Sequence, residues 1–354
     1  MCTAANYLTK CHYFGRNFDY EISYNERVTI TPRNYPLIFR DTEDIENHYG
    51  IIGIAAGIDE YPLYYDACNE KGLAMGGLNF PDYCDYKPLN ESKVNIASFE
   101  IIPYILSQSK TINDAKRLLV DLNISNEKFS TQLPPSPLHW IISDRNASIV
   151  VEVVKEGLNV YDNPVGVLTN NPPFDKQLFN LNNYMALSNK APENTFGGNL
   201  DLAIYSRGMG SIGLPGDVSS QSRFVKASFV KENSVSGDSE KESVSQFFHI
   251  LASVEQQKGC TLVEEPDKFE YTDIIRTLKD DSNYSFTILL QTIKDCISNK
   301  KVDKNNAIAS RVAVGALFTY GNATVAPYSE QFYVGGANSI RAFTVRSVGP
   351  GSTN

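Results

Sequence analysis

Residues 1–21 read MCTAANYLTKCHYFGRNFDYE. Two strand-like runs, CTAANYL (2–8) and HYFGRNFDYE (12–21), flank a polar break at hairpin spacing. The first run begins with a cysteine directly after the initiator methionine. Cys2 is small enough for an aminopeptidase to remove Met1, which would leave one residue carrying both a thiol and a free α-amino group. Reference pKa values of about 8.5 for the thiol and about 7.7–8.0 for the amine put each near the protonation state that amide cleavage requires. A terminal amine serving as base for its own side chain is an established way to activate a nucleophile. The returning strand would bring Arg16 and Asp19 beside the terminus. A guanidinium there favours thiolate, and a carboxylate orients the ammonium. Taken alone, the string favours the plain reading, a cysteine with no special role and a surface ion pair.

The opening stretch lacks the apolar run of about 7–15 residues that a secretory signal needs. No stretch of the chain approaches the roughly 18 uninterrupted apolar residues of a membrane helix. A cytoplasmic protein is expected. With 354 residues, 42% hydrophobic and 21% charged, the chain can bury a sizeable core. Its net charge of −9 argues against a nucleic-acid surface. Six cysteines and four histidines show neither metal-ligand spacing nor a disulfide pattern, so no metal is expected.

Beyond the hairpin, RVTITP, IIGIAAG, YYDACN and LAMGGLNF continue the strand pattern. Two helix candidates follow. The second, TINDAKRLLVDL, puts Ile112, Ala115, Leu118, Leu119 and Leu122 on one stripe with Thr111 as cap. Strands return at LHWIISD, SIVVEVVK, LNVYD and VGVLTN; helical character resumes after NNPPFD. A later helix spaces Val244, Phe247, Phe248, Leu251 and Val254. Such runs of strands with paired helices predict antiparallel sheets covered by helices, an α+β fold. The glycine-rich RGMGSIGLPGD follows no clear strand and reads as a loop.

The blocks MCTA, FGRNFD, DACNEKGLAMGGLNFP, LHWIISD, GVLTNNPPFD, GLPGD, SRFVKASF and GCTLVEEPDKFEYT, in that order, resemble the choloylglycine hydrolase family of N-terminal-nucleophile amidases. That family includes bile salt hydrolases and penicillin V acylases. The resemblance runs from Met1 to about Tyr271. It implies an αββα sandwich, with Cys2 as nucleophile, Arg16 and Asp19 as its charged partners, Asn79 and Asn170 as oxyanion-binding residues, and Arg223 as an active-site arginine. The implied reaction is thiolate attack on an amide, departure of the amine and hydrolysis of a thioester, with no metal or cofactor. Asn79 in GLNFP resembles the bile-salt branch, since the penicillin branch tends to carry tyrosine there. The implied substrate is therefore a glycine- or taurine-conjugated bile salt, with penicillin V as the alternative. Phe18, Tyr24, Tyr65 and Phe129 align with pocket-forming positions. Arg207, in SRG at 206–208, resembles a loop variant linked to glycine conjugates. The resemblance also implies a homo-oligomer, the family often forming tetramers.

Family members continue past EYT with two strands that complete the sandwich. Residues 273–354 depart from that pattern, and SEQFYVGGANSIRAFTVRSVGPG near their end resembles part of an Omp85-type outer-membrane β-barrel. Such a segment covers too few strands to close a barrel. The sequence thus divides into a hydrolase domain, 1–272, expected to lack its last strands, and an atypical tail, 273–354, read as a fusion or an artefact of sequence assembly. A hydrolase-like protein left inactive by that replacement, or a fusion that inserts into an outer membrane, is the competing expectation.

Overall fold

The computed structural model describes residues 1–20, 26–58, 61–257 and 260–261, together with the backbone strands 284–291 and 315–318. In chain order the strands are β1 (Cys2–Leu8), β2 (His12–Tyr20), β3 (Arg27–Thr31), β4 (Ile51–Ile58), β5 (Tyr61–Asn69), β6 (Ala74–Asn79), β7 (Val94–Ala97), β8 (Leu122–Ser125), β9 (Leu138–Ser143), β10 (Ser148–Val154), β11 (Gly157–Asp162), β12 (Val167–Leu168), β13 (Tyr284–Gln291) and β14 (Gly315–Phe318). The helices are α1 (Ile101–Gln108), α2 (Ile112–Val120), α3 (Phe174–Asn180), α4 (Ser220–Asn233) and α5 (Glu240–Ala252).

One sheet has the order β12-β1-β2-β13-β14, the other β11-β10-β9-β6-β5-β4-β3. Every pairing within both is antiparallel. One core cluster joins β1 and β2 to the inner face of the second sheet and to Phe174, Phe224, Phe247 and Leu251 of α3, α4 and α5. A second cluster packs Ile101, Ile105, Ala115 and Leu119 of α1 and α2 on the other face, against Trp140, Ile142 and Val151. The layers are therefore helix, sheet, sheet, helix, the α+β sandwich anticipated above.

Local sequence signals account for several boundaries. Thr111 caps α2 in a reciprocal capping box with Asp114, and Ser239 does the same for α5 with Glu242. Leu122, read as the end of a helical stripe, instead begins β8, which pairs in parallel with β7. Phe247 and Leu251 of α5 are buried as their spacing predicts, while Val254 is buried just beyond the helix. Cys2, Cys68, Cys84 and Cys260 are free thiols, and Cys11 is disulfide-bonded. Among the described residues, no helix is long and apolar enough to cross a membrane.

The tail, read as leaving this sandwich without its last strands, supplies two. β13 runs antiparallel to β2 from Tyr284 opposite Tyr20 to Gln291 opposite Tyr13, and β14 pairs with β13. β2 is buried along nearly its whole length and would otherwise present an open ladder of N–H and C=O groups. The barrel-like stretch 329–351 lies outside the described residues.

Truncation after Tyr271 is expected to give insoluble protein, because β2 loses its outer partner. Truncation after Tyr320 is expected to give soluble protein with a cooperative thermal transition by circular dichroism. Equal solubility and melting of the two would contradict this placement of β13.

Candidate active site

β1 and β2 meet in the register Cys2↔Phe18, Thr3↔Asn17 and Ala4↔Arg16. Residues directly opposite in an antiparallel pair share a face, and successive residues alternate. Cys2, Phe18 and Arg16 therefore point into the sandwich, while Thr3, Asn17 and Asp19 point toward α4 and α5. The contacts agree. Arg16 and Phe18 touch Asp66 and Tyr65 of the second sheet, whereas Asn17 Nδ2 donates to the Leu251 carbonyl of α5. The sequence brings Arg16 and Asp19 to the terminus as expected, but their odd spacing puts them on opposite sides of the sheet.

On the helix side, Arg223 of α4 is 1% exposed. Its guanidinium donates to the Cys2 carbonyl at 2.5 Å, Thr3 Oγ1 at 2.6 Å and Asn170 Oδ1 at 2.9 Å. Burial pulls Arg223 below its ordinary pKa, and the charges of Asp19 and Cys2 act in the opposite direction. The Cys2 backbone N–H donates to the same Asn170 Oδ1 at 2.9 Å. The Met1 amine donates to the Asp19 carbonyl, and the Gln256 amide lies 3.6 Å from the Met1 sulfur. Glu255, the residue before Gln256, is raised above the usual carboxylate range, first by burial and then by the charge of Asp19.

Asn170 Nδ2 donates to the Asn79 carbonyl at 2.7 Å, which brings the two predicted asparagines together beside Cys2. The bond from Phe80 N–H to the Pro137 carbonyl, 2.7 Å, makes Asn79 and Leu138 a non-hydrogen-bonded pair. The N–H and C=O of Asn79 consequently point away from β9.

On the inner face, Arg16 is fully buried; its Nε lies 2.9 Å from Asp66 Oδ2, its Nη1 donates to the Gly77 carbonyl, and its guanidinium sits 4.4 Å from the centre of the Phe18 ring. Asp66 is the residue that the sequence reading missed. The pairing of β4 with β5 shifts register at Ile54/Ala55, leaving Tyr65 without a partner residue. This bulge turns consecutive side chains, Tyr65 and Asp66, to the same face. Tyr65 then stacks at a tilt on Phe18, 5.0 Å between centroids. A lone carboxylate in the apolar strand YPLYYDACN was the available signal.

The other predicted lining residues separate. Phe129 is half-buried in an aromatic group with Tyr61 and Phe99, beneath the Arg40 guanidinium. Arg207 is exposed on the loop before the short 3-10 turn Met209–Ser211. Tyr24 lies outside the described residues. A surface cavity of about 350 Å³ lined by Tyr161, Phe174, Leu178 and Phe179 contains none of the predicted site residues. Among the described residues, no cluster of three or more His, Cys, Asp or Glu could hold a metal ion.

A buried thiol at the head of a strand, with its own main-chain nitrogen held by an asparagine, is an arrangement for N-terminal nucleophilic chemistry. The profile of the linear amide C–N hydrolases, choloylglycine hydrolase family, matches residues 2–302. The chain belongs to the choloylglycine hydrolase family. It is a hydrolase of linear amide C–N bonds. It is 62% identical to the bile salt hydrolase/transferase of Lactiplantibacillus plantarum over 272 residues, 77% of this chain and 84% of the relative. It is 41% identical to the conjugated bile acid hydrolase of Lactobacillus acidophilus over 264 residues, 73% of this chain and 83% of the relative. Among solved structures, a mutant conjugated bile acid hydrolase from Clostridium perfringens superposes with a TM-score of 0.71 at 31% identity, covering 90% of this chain and 96% of that one. Penicillin V acylase from Agrobacterium tumefaciens shares the fold, with a TM-score of 0.62 at 20% identity over 82% of this chain and 80% of that one. A second profile, the Omp85 superfamily domain, matches residues 269–354 and overlaps the hydrolase match.

Burial pushes the Asp66 carboxyl up to about 6, against the opposing charge of Arg16. From about pH 4, the unfolded value, to about 6, the folded protein holds a proton on Asp66 that the unfolded chain has released. The stability contributed by this group therefore falls as pH rises through that window. Asp66→Asn, uncharged throughout, is expected to lack this slope in urea unfolding; identical pH dependence in both proteins would contradict the placement.

Proposed function

We propose that this chain hydrolyses the amide bond of glycine- or taurine-conjugated bile salts, with Cys2 as nucleophile after loss of Met1. The observation that carries the reading is the position of Cys2 at the head of β1, its nitrogen on Asn170 Oδ1, in a chain 62% identical to a bile salt hydrolase/transferase.

In the proposed reaction, the Cys2 amine takes the thiol proton and the thiolate attacks the amide carbonyl. The new C–S bond makes a tetrahedral oxyanion. We assign its stabilisation to the Asn79 backbone N–H, which points away from β9, and to the second amide N–H of Asn170. One such donor is worth about 10²–10³ in rate. Collapse breaks the C–N bond, and the Cys2 ammonium gives its proton to the departing amine. Water, deprotonated by the same amine, then opens the thioester and releases the bile acid. Arg16 supplies positive charge on the thiol's side of the sheet. Asp19 and Arg223 fix the amine and main chain from the other side. Phe18 and Tyr65, packed on each other next to Cys2, are assigned to the steroid. Tyr24, Phe129 and Arg207 are kept as outer determinants, Arg207 for the carboxylate of a glycine conjugate.

We assign residues 1–272 to the hydrolase domain and 273–354 to a tail that adds β13 and β14 to its sheet. We assign the chain to the cytoplasm, the compartment expected from its sequence; the free thiols of Cys2, Cys68, Cys84 and Cys260 favour that assignment and the Cys11 disulfide opposes it. Met185, Phe196, Tyr205 and Ile212 are each at least 64% exposed, and we assign the stretch 185–212 that carries them to contact between copies, a homo-oligomer of the tetramer kind. A monomer in sedimentation velocity would remove that assignment.

Purified protein is expected to release glycine from glycocholate faster than it opens phenoxymethylpenicillin, and Cys2→Ala is expected to release none. Turnover persisting in that variant, or a preference for the penicillin, would defeat the reading.

A further inference from the structure

Asn170 and Asn79 can serve an oxyanion only if both are held still, and neither is held by its own strand alone. β12 ends at Leu168, two residues before Asn170, and β6 ends at Asn79. Buried side chains take over there. The Thr169 carbonyl accepts from His139 Nε2 at 2.8 Å. The Asn170 carbonyl accepts from Gln177 Nε2 at 2.5 Å, and the Asn170 N–H donates to Ser220 Oγ at 2.9 Å.

His139 stands apart in this set because it contacts the chain neighbours of both asparagines, Thr169 and Phe80. Its ring stacks on Phe80, the residue after Asn79, with centroids 4.3 Å apart and planes within 5°. Its other nitrogen, Nδ1, lies 2.9 Å from Glu152 Oε1, and the same oxygen accepts the Phe174 N–H that opens α3, at 3.0 Å. His139 and Glu152 are both fully buried. The Thr169 carbonyl can only accept, so Nε2 donates to it, and with Nδ1 against the Glu152 carboxyl the ring can neither flip nor rotate without losing a bond. Replacing both partners of a buried hydrogen-bonded pair by apolar groups of the same shape is often neutral or stabilising, so a pair retained in this core points to a role beyond stability.

We propose that the His139–Glu152 pair is a positioning unit for the hydrolysis, locking Thr169–Asn170 and Asn79–Phe80 in the geometry that faces the substrate carbonyl. The proposal rests on the reaction assigned above. Neither residue touches substrate. Their effect passes through the placement of two N–H donors, where a misplacement of about 1 Å costs about 10²-fold.

The test compares His139→Phe, which keeps the ring and its stack on Phe80 but loses both hydrogen bonds, with His139→Gln, which keeps a donor for Thr169. Turnover of glycocholate is measured per Cys2 alkylated by iodoacetamide, counted by mass spectrometry of the amino-terminal peptide so that the other free thiols and loss of folded protein do not count. The expected result is a kcat about 10²-fold lower in His139→Phe and about tenfold lower in His139→Gln, with KM unchanged in both. A wild-type kcat per alkylated Cys2, with only the melting temperature lowered, would overturn the proposal. If His139→Phe does not fold, the kcat of His139→Gln decides alone by the same criterion. If the wild type leaves glycocholate intact, the substrate reading fails separately. The positioning claim is then read from crystal structures of wild type and His139→Gln. Displacement of Asn170 from the Cys2 nitrogen supports it, and an unchanged separation overturns it.

Discussion

A single buried guanidinium, that of Arg223, holds the first residues of the chain where chemistry can use them. It binds the Cys2 carbonyl, the Thr3 hydroxyl and Asn170 Oδ1 at once, and Asn170 Oδ1 in turn receives the Cys2 N–H. Taking such a charge out of water costs several kcal/mol unless its donors are met and an opposite charge stands near. These three acceptors, the Val218 carbonyl that accepts from Nε at 3.0 Å and the field of Asp19 meet that demand. A chain terminus would ordinarily fray; here the terminal strand is tied to α4 and to the strand end at Asn170.

From that anchor, the alternation of β1 and β2 distributes the remaining work. Asp19 lies on the helix side with the main-chain contacts, and Arg16 lies on the inner side with the thiol. The second sheet completes the inner side through the bulge in β5, which presents Tyr65 to Phe18 and Asp66 to Arg16. The sandwich thus separates two tasks across one sheet, holding the backbone on one face and shaping the thiol's surroundings on the other.

Much of this was legible because it is local. The β1–β2 hairpin, the position of Cys2, the capping box of α2 and the apolar face of α5 follow from turn residues and periodicity. Asn79, Asn170 and Arg223 became legible only through resemblance, since each lies far along the chain and reaches Cys2 by tertiary contacts that no spacing encodes. Asp66 escaped because strict alternation assigns Tyr65 and Asp66 to opposite faces, and only the bulge reverses that. β7 and β8 escaped because they are four residues each and pair in parallel across the two helices that separate them in the chain. Phe129 and Arg207 were placed by alignment alone, and the structure sets one in a separate aromatic group and the other in solvent.

The proposed chemistry requires a free amine at Cys2, and intact-mass spectrometry of active protein examines that directly. The predicted result is a mass lower than the encoded chain by one methionine, with activity absent from any fraction that retains it. Full turnover by material still carrying Met1 would contradict the mechanism, because the nitrogen would then be an amide unable to accept the thiol proton.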